Sequence, residues 1–119
     1  MAGYMLFLHE DPRTFSNLSP SEIEGAIRQY VEWRQRLARE GRITGGHKLA
    51  DEGGRWLTRE NGGAVRVVDG PFSEAREVVG GYFLIEAADY DEAVEIARDC
   101  PHLAFGGRIE LRALDPAGG

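Results

Sequence analysis

The chain opens on a run that is apolar on both faces of an extended strand, Tyr4-Met5-Leu6-Phe7-Leu8-His9, and the run stops at the turn residues Glu10-Asp11-Pro12. This pattern predicts a strand over residues 4–9. After a polar connection, Ser19-Pro20-Ser21-Glu22 spells a capping box, with Ser19 at the N-cap, Pro20 at N1 and Glu22 at N3. Ile23, Ala26, Ile27, Tyr30, Trp33, Arg34 and Leu37 then recur at spacings of three and four, and Gly41 suits the left-handed position just past a helix end. A helix over residues 20–40 is predicted.

The middle of the chain reads as β. Residues 43–49 form a strand interrupted by Gly45-Gly46, and the segments 55–59 and 64–68 flank Glu60-Asn61-Gly62-Gly63 as a hairpin with a four-residue loop. Residues 78–87 form a further strand. Asp89 and Glu92 then cap a second helix, which buries Ala93, Ile96, Ala97 and Cys100 and is stopped by Pro101. Residues 108–114 alternate strictly, with Ile109 and Leu111 on one face. The order β-α-β-(hairpin)-β-α-β is an α+β, ferredoxin-like plan with a hairpin inserted at its centre. Right-handed crossovers place both helices on one face of the sheet. A single domain over residues 1–115 and a disordered tail, 116–119, are expected.

Composition narrows the class without naming a chemistry. Fourteen Lys and Arg against 20 Asp and Glu give 119 residues a formal charge of −6, and no basic block is present, which argues against direct nucleic-acid binding. No apolar run approaches the roughly 20 residues of a membrane-spanning helix. The apolar start is too short, and lacks the basic leader, for a signal peptide. Cys100 stands alone, consistent with a reducing compartment. A cytoplasmic protein without a membrane partner is expected.

Candidate chemistry is sparse. His9, His47 and His102 show no spacing of three or four, so neither a metal nor another cofactor is predicted. His9 reads either as a hydrogen-bonded histidine at a strand end or as a proton-transfer group near a cleft. His102 reads as a cation at a helix terminus, and Cys100 as a small buried hydrophobe. The arginines 28, 34, 36, 39 and 42, relieved by Glu32 and Glu40, suit a solvated face or subunit contact. Asp69-Gly70-Pro71-Phe72 is the sharpest local feature. It reads as a rigid corner in which Asp69 caps its own loop and Phe72 anchors it, or as a carboxylate presented on a preorganised loop.

Residues 68–74, followed by Glu77-Val78-Val79-Gly80-Gly81-Tyr82, resemble the YCII-related family in its DGPF branch. Asp91-Glu92-Ala93, Cys100-Pro101 and Gly106-Gly107-Arg108-Ile109-Glu110-Leu111-Arg112 extend the resemblance, as do Trp33 and Gly45-Gly46 upstream. It covers roughly residues 4–114 and departs at Ala113, where a proline is expected. The resemblance implies a dimeric α+β barrel type of fold. Other members carry a His–Asp pair in a cleft; Tyr30 stands at the histidine's place here, so that dyad is not carried over. It also implies a link to alternative sigma factors.

The expected function is therefore a small-molecule-binding or accessory protein. The alternative is a small enzyme acting on an organic substrate with Asp69, His9 and Tyr30 at a cleft, and Trp33, Phe72 and Arg112 are candidate ligand contacts. A homodimer is expected independently of the resemblance. Tyr4, Leu6 and Leu8 oppose Met5 and Phe7, and Phe83 and Ile85 oppose Tyr82 and Leu84, so a monomer would expose an apolar sheet face.

Overall fold

The computed structural model describes residues 1–14, 17–70 and 76–118. Strand β1 (Ala2–Glu10) leads to helix α1 (Pro20–Arg39) and strand β2 (Ile43–Lys48). Strands β3 (Arg55–Thr58) and β4 (Arg66–Asp69) form a separate two-stranded ribbon. Strand β5 (Val78–Ala87), helices α2 (Tyr90–Arg98) and α3 (Pro101–Ala104), and strand β6 (Arg108–Ala113) complete the chain. The main sheet has the order β2-β5-β1-β6 and its pairings are antiparallel, as the ferredoxin-like α+β plan requires.

Local chemistry accounts for the helix ends. The Ser19 hydroxyl accepts from the Glu22 amide at 3.1 Å, and the Glu22 carboxylate accepts from the Ser19 amide at 3.0 Å, closing the capping box. Gly41 takes φ +71° beyond the C-cap Glu40. Asp89 caps α2 by accepting from the Glu92 amide at 2.9 Å. Pro101 ends one helix and, at N1, opens another: α3 is a short element the hydrophobic pattern does not predict.

Both long helices lie on one face of the sheet. There Tyr4, Leu6, Leu8, Phe83, Ile85 and Ala87 meet Trp33, Leu37, Ala93, Ile96 and Cys100 in one core. The Trp33 ring meets Phe83 edge-on at 5.0 Å, and its indole N–H donates to Asp99 at 3.1 Å. Cys100 is buried, and burial pushes its thiol up to about 11. The opposite face carries Met5, Phe7, Tyr82 and Leu84, all half-buried, with no element of the described chain laid across it.

The hairpin ladder runs only from Arg55↔Asp69 to Thr58↔Arg66, so its connection is residues 59–65 rather than the expected four. At its base two backbones cross closely. A Cβ on Gly53 would lie 1.7 Å from the Gly70 carbonyl oxygen, and one on Gly70 would lie 1.8 Å from that of Gly53. That crossing is a steric reason for the glycine that follows Asp69.

Candidate functional site

The amphipathic face of α1 does two jobs. Ala26, Trp33 and Leu37 seal the core, but Ile23, Ile27 and Val31 remain 37%, 57% and 41% exposed. These three form one wall of a cleft of about 560 Å³ between α1 and the β1–β5–β2 part of the sheet. Its floor is Leu8, Gly81 and Phe83, and Glu10, His47, Lys48 and Asp51 stand opposite the helix. The Arg34 guanidinium sits at the rim, 5.9 Å from the Phe83 ring centre.

Tyr30 and His102 join α1 to α3 inside this cleft. The Tyr30 Oη lies 3.0 Å from His102 Nδ1, and His102 Nε2 lies 2.8 Å from the His9 carbonyl oxygen. A carbonyl only accepts, so Nε2 carries the proton, and burial of the ring holds its pKa below the ordinary value. The neutral ring then accepts at Nδ1, and the Tyr30 hydroxyl is the donor. His102 is thus a buried neutral group and not the helix-terminus cation expected from its position after Pro101; the short helix α3 turns it inward. Gly107 leaves the space for the ring, since a Cβ there would lie 2.1 Å from Nε2. Burial, reinforced by Cys100 and Glu10, pushes the Tyr30 phenol up, so it stays a neutral donor.

Glu10 is the third polar group. It continues the inward alternation of Tyr4, Leu6 and Leu8 past the register shift at Leu8/His9, and reaches the cleft from the end of β1. Its carboxylate lies across Gly80, where an added Cβ would come within 1.9 Å of Oε1. Burial raises its pKa, opposed by Lys48 and reinforced by Asp51. Lys48 gives its ammonium to Asp51 at 2.6 Å and to the Leu49 carbonyl at 2.9 Å. Glu10 has no hydrogen bond or ion pair among the described residues.

The residues singled out in the sequence are spread over the molecule. Tyr30 lies in the cleft. The side chain of His9 lies on the opposite face of the sheet, with Nε2 2.9 Å from Glu110 and Nδ1 3.6 Å from Glu77, which Arg108 also holds. Only the His9 carbonyl reaches toward the cleft. Asp69 is on the hairpin, its side chain 84% exposed, and its described partner is Arg55 Nε at 3.1 Å across the ribbon; residues 71–75 of its corner lie outside the described residues. Trp33 is in the core, and Arg112 is exposed beside Glu110. Phe72 lies outside the described residues. Among the described residues no cluster of His, Cys, Asp and Glu is arranged to hold a metal ion.

The sequence reading missed Glu10 as a site residue and gave His102 a different role. The signal for Glu10 was the period-two continuation of the inward face; for His102 it was the Gly106-Gly107 pair that clears room for a ring. Residues 2–115 match the YCII-related domain. The chain is 29% identical over 112 residues to an uncharacterized protein of Rhizobium meliloti (strain 1021), covering 93% of this chain and 90% of that protein. No helix among the described residues is long and apolar enough to cross a membrane.

Proposed function

The chain belongs to the YCII-related family, and we propose that it binds a small, largely apolar organic molecule in the cleft beneath α1. The observation that carries this reading is the exposed stripe Ile23–Ile27–Val31 facing Phe83 across a cleft of about 560 Å³. That size falls within the roughly 300–1,000 Å³ of small-molecule sites, and the pattern of apolar walls with a few convergent polar groups is theirs as well. Fragment screening by NMR tests it: binders shift the resonances of Ile23, Ile27 and Phe83. Ile27→Glu, at a half-exposed position, removes binding without unfolding the chain. Fragments that bind only elsewhere overturn the reading.

One observation favours a second reading, proton transfer on the bound molecule. Tyr30, His102 and Glu10 converge on the same cleft, and Glu10 is the carboxylate whose pKa burial moves toward neutrality. In that reading Glu10 transfers the proton while His102 orients Tyr30, in place of a set built on Asp69 and His9.

The assembly we propose is a homodimer through the open sheet face. The molecule is only 18 Å through its thinnest dimension, one sheet and one helix layer, so Met5, Phe7, Tyr82 and Leu84 need a cover that a second copy supplies. Burial of more than roughly 1,200 Å² in total is expected. A folded 13.2 kDa species in sedimentation at low micromolar concentration would exclude it. The Asp69-Gly70-Pro71-Phe72 tetrapeptide supports placement in the DGPF branch, and the sigma-factor setting rests on that resemblance. Co-purification of an alternative sigma factor would test it.

A further inference from the structure

We infer that the cleft selects a molecule with a hydrogen-bond-donating, cationic head, a primary or secondary amine on an apolar body. This deepens the binding reading above and rests on it.

The inference comes from counting donors and acceptors where the polar groups converge. The Tyr30 hydroxyl proton is committed to His102 Nδ1 at 3.0 Å, so what Tyr30 offers the cleft is the lone pairs of Oη. His102 offers nothing further, because its other nitrogen is committed to the His9 carbonyl at 2.8 Å. His47 Nδ1 lies 2.7 Å from the Lys48 carbonyl and must donate to it, so any acceptor that His47 offers is Nε2. Glu10 brings a carboxylate with no partner. Lys48 is the cation that acts on it, and two of its three N–H donors are held by Asp51 and the Leu49 carbonyl.

The acceptors thus outnumber the donors at this end of the cleft, and the one formal charge left uncompensated there is negative. A half-buried, unpaired carboxylate is costly unless a partner arrives, and an ammonium is the partner that supplies both charge and N–H donors. Gly80 leaves the room that the Glu10 carboxylate occupies. The backbone carries no side chain where Glu10 lies, and even a methyl group there would displace Oε1. The apolar stripe of α1 and the Phe83 ring then take the body of the ligand. Arg34 is the rival, since it could draw an anion. It is exposed at the rim with its guanidinium over Phe83, which pairs with Leu6 four residues before Glu10, so an anionic head held by it would stay near solvent.

The test uses three probes of similar shape on the full chain by isothermal titration near pH 7.5: 2-phenylethylamine, 2-phenylethanol and 3-phenylpropionate. The amine is expected to bind at least tenfold tighter than the carboxylate. Glu10→Gln is expected to weaken amine binding about tenfold and to leave the alcohol within twofold. Gly80→Ala, which moves the Glu10 carboxylate rather than removing it, is expected to weaken the amine in the same way. Carboxylate binding equal to or tighter than that of the amine overturns the amine assignment while the cleft reading stands. Amine binding indifferent to both variants overturns it too. Failure of all three probes, the alcohol included, overturns the cleft reading itself and this inference with it.

Discussion

Tyr30→Phe isolates the bond between α1 and α3. The substitution keeps the ring, which packs at 6.2 Å from Phe105, and deletes the hydroxyl that donates to His102 Nδ1. His102 is 2% exposed, so its nitrogen then faces no donor and little water. A buried polar group left unsatisfied costs about 1–3 kcal/mol. For a domain of this size each kcal/mol lowers the melting temperature by about 4 °C, so a fall of about 4–12 °C is expected. Differential scanning calorimetry at pH 7.5 measures it.

The pH dependence carries a second check. Burial holds the His102 pKa below its ordinary 6.5, so the unfolded chain binds more protons than the folded one once the pH falls toward that value. The stability linked to neutral His102 is complete above about 6.5 and is lost as the pH falls below it. Without the Tyr30 donor, the neutral ring loses its advantage and the His102 pKa rises. The variant is therefore less stable than the parent at pH 7.5, and the gap narrows toward pH 5.5. An unchanged melting temperature at pH 7.5, or a gap that widens on acidification, would refute the assigned bond and tautomer together.

Further outcomes follow from the same contacts. Ser19→Ala removes one arm of the capping box and is expected to cost about 0.5–2 kcal/mol in urea unfolding. Among the described residues Asp69→Asn breaks an exposed pair with Arg55, so its effect on stability should stay below about 1 kcal/mol, and cleft binding followed by NMR should not change. A larger loss of stability would support the reading of Asp69 as the cap of its own loop. Gly70→Ala forces apart the backbones that cross at Gly53, so limited proteolysis should cut the hairpin sooner while the main transition moves little. Leu84→Lys on the open sheet face is expected to yield a folded monomer in sedimentation equilibrium, and a persistent dimer would place the interface elsewhere.

Much of the fold was legible because its signals are local. The capping box, the C-terminal glycine of α1 and the alternation in β6 are read within a few residues, and each appears as expected. The ferredoxin-like order follows from those elements and the handedness of crossovers. What was not legible depended on distance along the chain. α3 has a single turn and no periodicity to detect, yet it changes His102 from a helix-terminus cation to a buried neutral acceptor for Tyr30. The hairpin ladder stops early because seven connecting residues, 59–65, leave the ribbon with a wider turn than the glycine pair suggests.

The site was harder to read because spacing alone does not say which apolar positions of a helix are covered. Ile23, Ile27 and Leu37 belong to one stripe by periodicity, but Leu37 is 2% exposed and Ile27 57%. The difference arises where β1 ends: past Leu8 the strand offers Glu10, and the neighbouring β5 offers Gly80 and Gly81, so no large apolar side chain rises to meet the first turns of α1. These two glycines therefore open the cleft, and Gly80 leaves the room for its carboxylate. A bulky apolar residue at position 80 would close the space and displace Glu10, adding packing to the core at the cost of the cavity. That the chain carries small residues there, beneath an exposed aliphatic stripe, is the physical ground for reading the cleft as a binding site rather than as a packing defect.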